Sequence, residues 1–148
     1  LMFPENDDIK KLSELMIDPF EYLMRLHKKG RLKTNFLNKL GNVAYHAPCH
    51  QRVQNIGPKT KEVLELVADT KVNLIERCSG HDGTYAVKQE SYTRAKKICR
   101  PVVNSIEKSQ VEYFVSDCPM AFDLIAQGVR SKSEFKSGFG LLKFAYGV

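Results

Sequence analysis

Apolar and polar positions follow two rhythms along this chain. Three short runs have the length and the β-branched and aromatic content of strands: Asn42-Val43-Ala44-Tyr45-His46, Val72-Asn73-Leu74-Ile75-Glu76 and Glu112-Tyr113-Phe114-Val115-Ser116. Between and after them the spacing changes to three and four. Pro58 to Val67 predicts a helix with Val63, Leu64 and Val67 turned inward. Lys88 to Lys108 predicts another, broken or kinked at Pro101. Pro119 to Gln127 predicts a third, closed by Gly128. Strand, helix, strand, helix, strand, helix implies a parallel sheet with right-handed crossovers. The expected class is α/β: a three-layer Rossmann-like domain with a mainly parallel sheet.

The flanks read differently. Residues 1–40 predict a helical connecting segment. Asp7 or Asp8 caps a helix through Met16, and Asp18-Pro19 opens a second carrying Phe20, Leu23, Met24 and Leu26-His27 before Gly30. Residues 41–128 form the α/β domain. Residues 129–148 form a basic tail whose apolar stretch, Leu141 to Tyr146, predicts a short docking helix. The start, Leu1-Met2-Phe3-Pro4, reads as the beginning of a fragment of a longer protein.

Composition narrows the class without naming a function. A chain of 148 residues with 43% hydrophobic and 27% charged residues can bury a core without staples. No apolar run reaches the roughly 18 residues of a membrane span, and nothing near the start reads as a secretion leader. The expected location is therefore cytoplasmic, or peripheral on the inner face of a membrane. Lys and Arg outnumber Asp and Glu by 23 to 17, a net charge of +6. The bases are scattered, with short clusters at Lys28-Lys29-Gly30-Arg31 and from Arg94 to Arg100. Such clusters read as solvated faces, and nucleic acid is not an expected partner.

The chemistry lies with the cysteines. The chain has four, at Cys49, Cys78, Cys99 and Cys118, with no Cys-x-x-Cys pair. Free cysteine is among the most buried residue types, so four small core residues is one reading. Placement on the predicted sheet opens another. Cys49, Cys78 and Cys118 each lie just past the C-terminal end of a strand. In a parallel sheet those ends share one edge, and ligands bind in the crevice outside it. Three thiols far apart in sequence can therefore converge, while Cys99 falls inside a helix and reads as packing.

The surrounding segments sharpen this. Tyr45-His46-Ala47-Pro48-Cys49-His50 sets two histidines and a helix-starting proline around one thiol. Glu76-Arg77-Cys78-Ser79-Gly80-His81-Asp82-Gly83-Thr84-Tyr85 is a glycine-rich turn, and Ser116-Asp117-Cys118-Pro119-Met120-Ala121 ends the third strand. Together they resemble the cysteine-rich CCG domain. That domain occurs in the cysteine-rich component of heterodisulfide reductase, in glycolate and lactate oxidase iron–sulfur subunits, and in the iron–sulfur component of anaerobic glycerol-3-phosphate dehydrogenase. The similarity is greatest to the last group, and Arg52 to Gly57 carries part of it.

The resemblance implies an iron–sulfur cluster and electron transfer between a flavin dehydrogenase subunit and a downstream acceptor. It also implies that this is the C-terminal copy of a paired domain, preceded by another CCG copy and a ferredoxin-like segment. The family pattern is one Cys, then Cys-Cys-Gly, then Cys-x-x-Cys. Here Ser79 and Ala121 replace two of those thiols. A 4Fe–4S cluster normally takes four cysteines. With Cys49, Cys78 and Cys118 as ligands, the fourth place falls to His81, His46, His50 or the Ser79 oxygen, in an ordinary or a degenerate cluster.

Two histidines beside one strand end cannot both face the site, because a strand alternates its faces. Each histidine can equally serve as a hydrogen-bonding partner. Zinc on three thiolates and one histidine is the alternative cofactor. A scaffold or interaction domain that has lost the cluster is the alternative function. A thiol enzyme built on Cys78 or Cys118 lacks an oxyanion site in the sequence. Loss of partner domains would expose apolar area, so self-association is also expected.

Overall fold

The computed structural model describes residues 3–130, 134–135 and 137–148. The beginning of the expected fragment start (Leu1-Met2) and part of the expected basic tail (residues 131–133 and 136) lie outside the described residues. The chain divides into two compact units, Leu1–Lys33 and Thr34–Val148.

The first unit holds α1 (Asp7–Leu15) and α2 (Pro19–Lys28). The cap of α1 is Asn6 rather than Asp7 or Asp8: its side-chain oxygen accepts from the Asp8 and Ile9 N–H groups. Both aspartates instead fill the first turn, where negative charge suits the helix dipole. Asp18 caps α2 as expected, accepting from the Phe20 and Glu21 N–H groups, with Pro19 at the first helical position. No α1 residue is buried, and Leu12, Leu15 and Met16 are exposed.

The second unit is α/β. Its strands are β1 (Asn42–His46), β2 (Lys71–Ile75), β3 (Tyr113–Ser116) and β4 (Glu134–Phe135), all parallel, in the order β2-β1-β3-β4. Its helices are α3 (Cys49–Val53), α4 (Lys59–Leu64), α5 (Gln89–Ser109), α6 (Pro119–Ala126) and α7 (Gly138–Tyr146). The three predicted strands are all present. The two-residue β4 carries no pattern of its own and was not anticipated.

Strand alternation divides the interior into two cores. On one face Val43 and Tyr45 of β1, Val72 of β2 and Val115 of β3 meet Leu64 of α4 and Leu141 and Ala145 of α7. On the other, Ala44, Ile75 and Phe114 meet Ala95, Cys99, Val102 and Ile106 of α5 and Leu124 and Ile125 of α6. Period-two alternation of the strands sends neighbouring residues to opposite layers, which gives the three-layer arrangement.

Helix α5 runs through Pro101 as one helix, so of the expected break or kink the break does not occur. Pro101 and Lys97, whose carbonyl loses its intrahelical donor, both lie on exposed positions, so water can replace the missing bond. Packing of Ala95, Cys99, Val102 and Ile106 on the inner face holds the helix on either side of the proline. Helix α4 is shorter than expected and ends at Leu64, with Leu66 and Val67 continuing in turns.

The apolar stretch at the end of the chain forms α7, capped by Ser137 accepting from the Gly140 N–H at 3.0 Å. Leu141 is fully buried under the sheet. Leu141→Ala is expected to lower stability by about 2–4 kcal/mol, measurable as a drop in urea midpoint with an unchanged slope.

Candidate functional site

Order β2-β1-β3 means that the chain leaves β1 toward one side of the sheet and later returns to its other side. The C-terminal ends of β1 and β3 therefore flank a topological switch point, where an open α/β sheet leaves a crevice. His46 and Ser116 are register partners at that point, and Ile75 pairs with His46 from β2. Cys49, Cys78 and Cys118 follow these three strand ends by two or three residues.

Each thiol is placed by its local backbone. Cys49 is the first residue of α3, after Pro48 has set an extended entry, and it is exposed. The Arg52 guanidinium, one turn on, lies 3.6 Å from its sulfur and donates to the Glu76 carbonyl at 3.4 Å. Cys78 is exposed in the turn after β2, and its sulfur accepts from the Gly80 N–H at 3.4 Å. Cys118 is half-buried at the N-cap of α6.

The turn that carries Cys78 depends on Gly80. Its φ is +80°, a region open to glycine, and a Cβ there would fall 2.2 Å from the Ala95 carbonyl oxygen of α5. The backbone of this turn thus rests directly on the helix. Cys99, one turn beyond Ala95, is 2% exposed in the α5-side core. Burial pushes its thiol up to about 11, with a smaller contribution from nearby Cys78.

His46 binds two of the cysteine loops together. It is 1% exposed. Nε2 lies 2.9 Å from the Arg77 carbonyl, which can only accept, so Nε2 carries the proton. Nδ1 lies 3.0 Å from the Ser116 hydroxyl, which donates to it, and Ser116 Oγ accepts from the Cys118 N–H at 3.4 Å. Burial is the main influence holding His46 below the usual histidine range, which favours this neutral form. The residue next to Cys78 and the backbone of Cys118 are thereby joined through one ring.

A second buried knot joins the Cys49 side to Cys118. Asp117 Oδ2 accepts from the Tyr45 hydroxyl at 2.7 Å, the Thr60 hydroxyl at 2.5 Å and the Gln51 amide at 3.5 Å. The Tyr45 hydroxyl also lies against the Gln51 oxygen. Burial, then the Asp117 carboxylate, push the Tyr45 phenol well above its ordinary range, so it stays a donor. A small cavity of about 130 Å³ opens beside this knot, walled by Ala47, Arg52 and Glu76.

The sequence candidates therefore separate. Cys49, Cys78 and Cys118 share one edge on three loops that are tied to one another. Among the described residues, however, no three His, Cys, Asp or Glu side chains stand close enough to hold a metal ion. The sulfurs of Cys49 and Cys78 are turned to donors within their own loops. Both nitrogens of His46 are engaged, so it braces the loops here and is not free to ligate. The rings of His50, exposed, and His81, half-buried, have no hydrogen-bond partner among the described residues. Ser79 and Ala121, where the resembled pattern carries cysteine, are both buried, at 4% and 3% exposure.

Reading the sequence did not find Tyr45, Gln51, Thr60 and Asp117 as a group. The one available signal was Asp117 itself, a carboxylate directly after an apolar strand.

An all-parallel sheet with three cysteine loops at its switch-point edge defines a cysteine-rich α/β domain. The family of CCG cysteine-rich domains matches residues 43–120, just over half of the chain, and the chain belongs to that family. Neither a curated protein nor a solved structure matches the chain.

Two outcomes follow from this geometry. His46→Ala leaves two buried groups without partners and is expected to cost about 2–4 kcal/mol. His46→Gln, which keeps one donor and one acceptor, is expected to recover most of that loss. Because the fold disfavours the imidazolium, the unfolded chain binds that proton more readily. The His46 contribution is therefore full above the ordinary histidine pKa of about 6.5 and declines as pH falls through the lowered folded value. Thermal unfolding of wild type and His46→Gln between about pH 7.5 and pH 5 should show a shallower decline in the glutamine variant. Equal slopes would remove His46 from the titration.

The thiols offer a second check. Iodoacetamide near neutral pH is expected to label Cys49 and Cys78 first, Cys118 more slowly, and Cys99 only after denaturation. Peptide mass analysis of timed samples reads the order, and early labelling of Cys99 would contradict the burial.

Proposed function

We propose that the chain is the C-terminal portion of an iron–sulfur oxidoreductase subunit, passing electrons between a flavin dehydrogenase partner and a downstream acceptor. The observation that carries this is the placement of Cys49, Cys78 and Cys118 on three cross-tied loops at one sheet edge, in a CCG family member. Their soft thiolates suit iron and sulfide. His81 or His50 would complete the set, since their rings are free and His46 is already engaged. When bound, such a cluster supplies a one-electron carrier.

The chain's own residues contribute position and charge. Arg52 sets a cation 3.6 Å from the Cys49 sulfur, where it offsets negative charge gathered by thiolates. His46 and Asp117 fix the spacing of the loops without touching the sulfurs. A preceding CCG copy and a ferredoxin-like segment would supply the neighbouring carriers. The acceptor would be reached from the cytoplasmic side. Among the described residues no helix is long and apolar enough to cross a membrane.

One observation favours a second reading. No three candidate side chains converge among the described residues, and the two positions that depart from the family pattern are closed in the interior. A domain kept as a scaffold, or as a zinc-binding interaction module, has the same appearance.

Anaerobic purification followed by iron, acid-labile sulfide and zinc analysis, with electron paramagnetic resonance, separates these readings. Iron with sulfide, lost in Cys49→Ser, Cys78→Ser and Cys118→Ser, is the expected result. Zinc without sulfide would establish the zinc module. Absence of all three from this chain, both alone and within the longer protein, would overturn the cluster and leave the scaffold.

A further inference from the structure

A cleft of about 730 Å³ lies away from the strand ends, between the outer face of α5 and the end of α6. Its walls carry Lys96, Lys97 and Arg100 from α5 and Arg130 from beyond α6, against one carboxylate among the described residues, Glu107. Lys96, Lys97 and Arg100 belong to the cluster between Arg94 and Arg100 that reads in sequence as simple solvation. Lys97, Arg100 and Arg130 have no ion-pair partner among the described residues, and Lys96 lies over the Tyr92 ring at 5.4 Å.

The groove is held in shape by its own contacts. The Tyr92 hydroxyl donates to the Gln127 side-chain oxygen, and the Arg130 N–H donates to Glu107. Between these ties the floor is tight: a Cβ on Gly128 would fall 2.7 Å from a methyl of Val103. These contacts join α5 to the segment at the end of α6 along the groove.

The geometry points to this groove as a docking site for an extended acidic segment of a partner protein. Charge complementarity selects the sign, since among the described residues four cations face one engaged carboxylate. Length selects the shape. From Tyr92 to Glu107 the wall runs about 22 Å along α5 at 1.5 Å per residue. That distance accommodates about six or seven residues of extended chain at 3.3 Å each. Lys96, Lys97 and Arg100 lie within about one turn of α5, and Arg130 is tied through its N–H to Glu107 at the far end. Exposed cations therefore mark two separated points on the wall, which matches spaced carboxylates better than one compact oxyanion. The Tyr92 and Val103 surfaces give the floor an apolar component that takes up apolar side chains set between the acids.

Fluorescence anisotropy with this chain tests the assignment, using a labelled peptide of about ten residues in which Glu and Asp alternate with Leu. Binding is expected to weaken as salt rises from about 50 to 300 mM. Replacing Lys97→Glu and Arg100→Glu together should weaken it at least about 10-fold, and the milder Lys97→Gln with Arg100→Gln should fall between. A charge-matched control outside the groove, Lys71→Glu with Lys143→Glu, should change it less than about 3-fold. Circular dichroism confirms that each variant is folded. Equal losses in both charge-reversal pairs would overturn the groove as the site. Tighter binding of tripolyphosphate at the same residues would make it a small-anion site. Tighter binding of single-stranded RNA would make it a nucleic-acid site, and either result overturns the acidic-segment assignment.

Discussion

Three chain segments leave the sheet at adjacent points after β1, β2 and β3, and each leaves polar groups that strand pairing no longer satisfies. His46 answers for two of these places at once. Its Nε2–H meets the Arg77 carbonyl, and its Nδ1 takes the Ser116 hydroxyl, whose oxygen receives the Cys118 N–H. A buried ring can do this only in one tautomer, which the Arg77 carbonyl selects, and only while neutral, which burial favours. The relative placement of the Cys78 and Cys118 loops follows from that constraint. Asp117 applies the same logic on the opposite face of the sheet, gathering Tyr45, Thr60 and Gln51 around one carboxylate oxygen.

Much of the fold was legible because strand and helix periods carry it. The runs at 42–46, 72–76 and 112–116 have strand composition, and the intervening helical stretches leave room only for parallel pairing. The errors fall where local rules compete with packing. Pro101 reads as a break or a kink, and there is no break, because inward burial of Ala95, Cys99, Val102 and Ile106 outweighs one lost backbone bond on the wet side of α5. Asp7 and Asp8 read as caps, yet Asn6 lies one residue earlier with an equally good acceptor. Two-residue β4 has no periodicity to read.

The site was legible at the level of which loops meet. Strand ends placed Cys49, Cys78 and Cys118 at one edge without coordinates. Side-chain direction was not legible, because it depends on contacts between segments far apart in sequence. Both histidines near Cys49 carry the same chemistry in sequence. Only the pairing of β1 with β3 and with β2 shows that His46 is consumed by Ser116 and Arg77 while His50 is exposed. The polar knot around Asp117 was hidden for the same reason: its members are separated by up to 72 positions.

Helix α5 connects the two chemically distinct regions of the molecule. Its inner face supports the Cys78 turn, where the Ala95 carbonyl leaves no room for a side chain on Gly80. Its outer face, beginning at the very next residue, carries Lys96, Lys97 and Arg100 along the basic groove. Only the thickness of one helix, about 10–12 Å with side chains, separates these faces. Any displacement of α5 therefore moves the backbone of the Cys78 turn, since backbone is pressed on backbone with no flexible side chain between them. The same close contact that fixes one cysteine loop also sets its distance from whatever the groove receives. Replacing Gly80 would disturb both ends of that relationship, whereas changing the exposed cations alters the outer face alone.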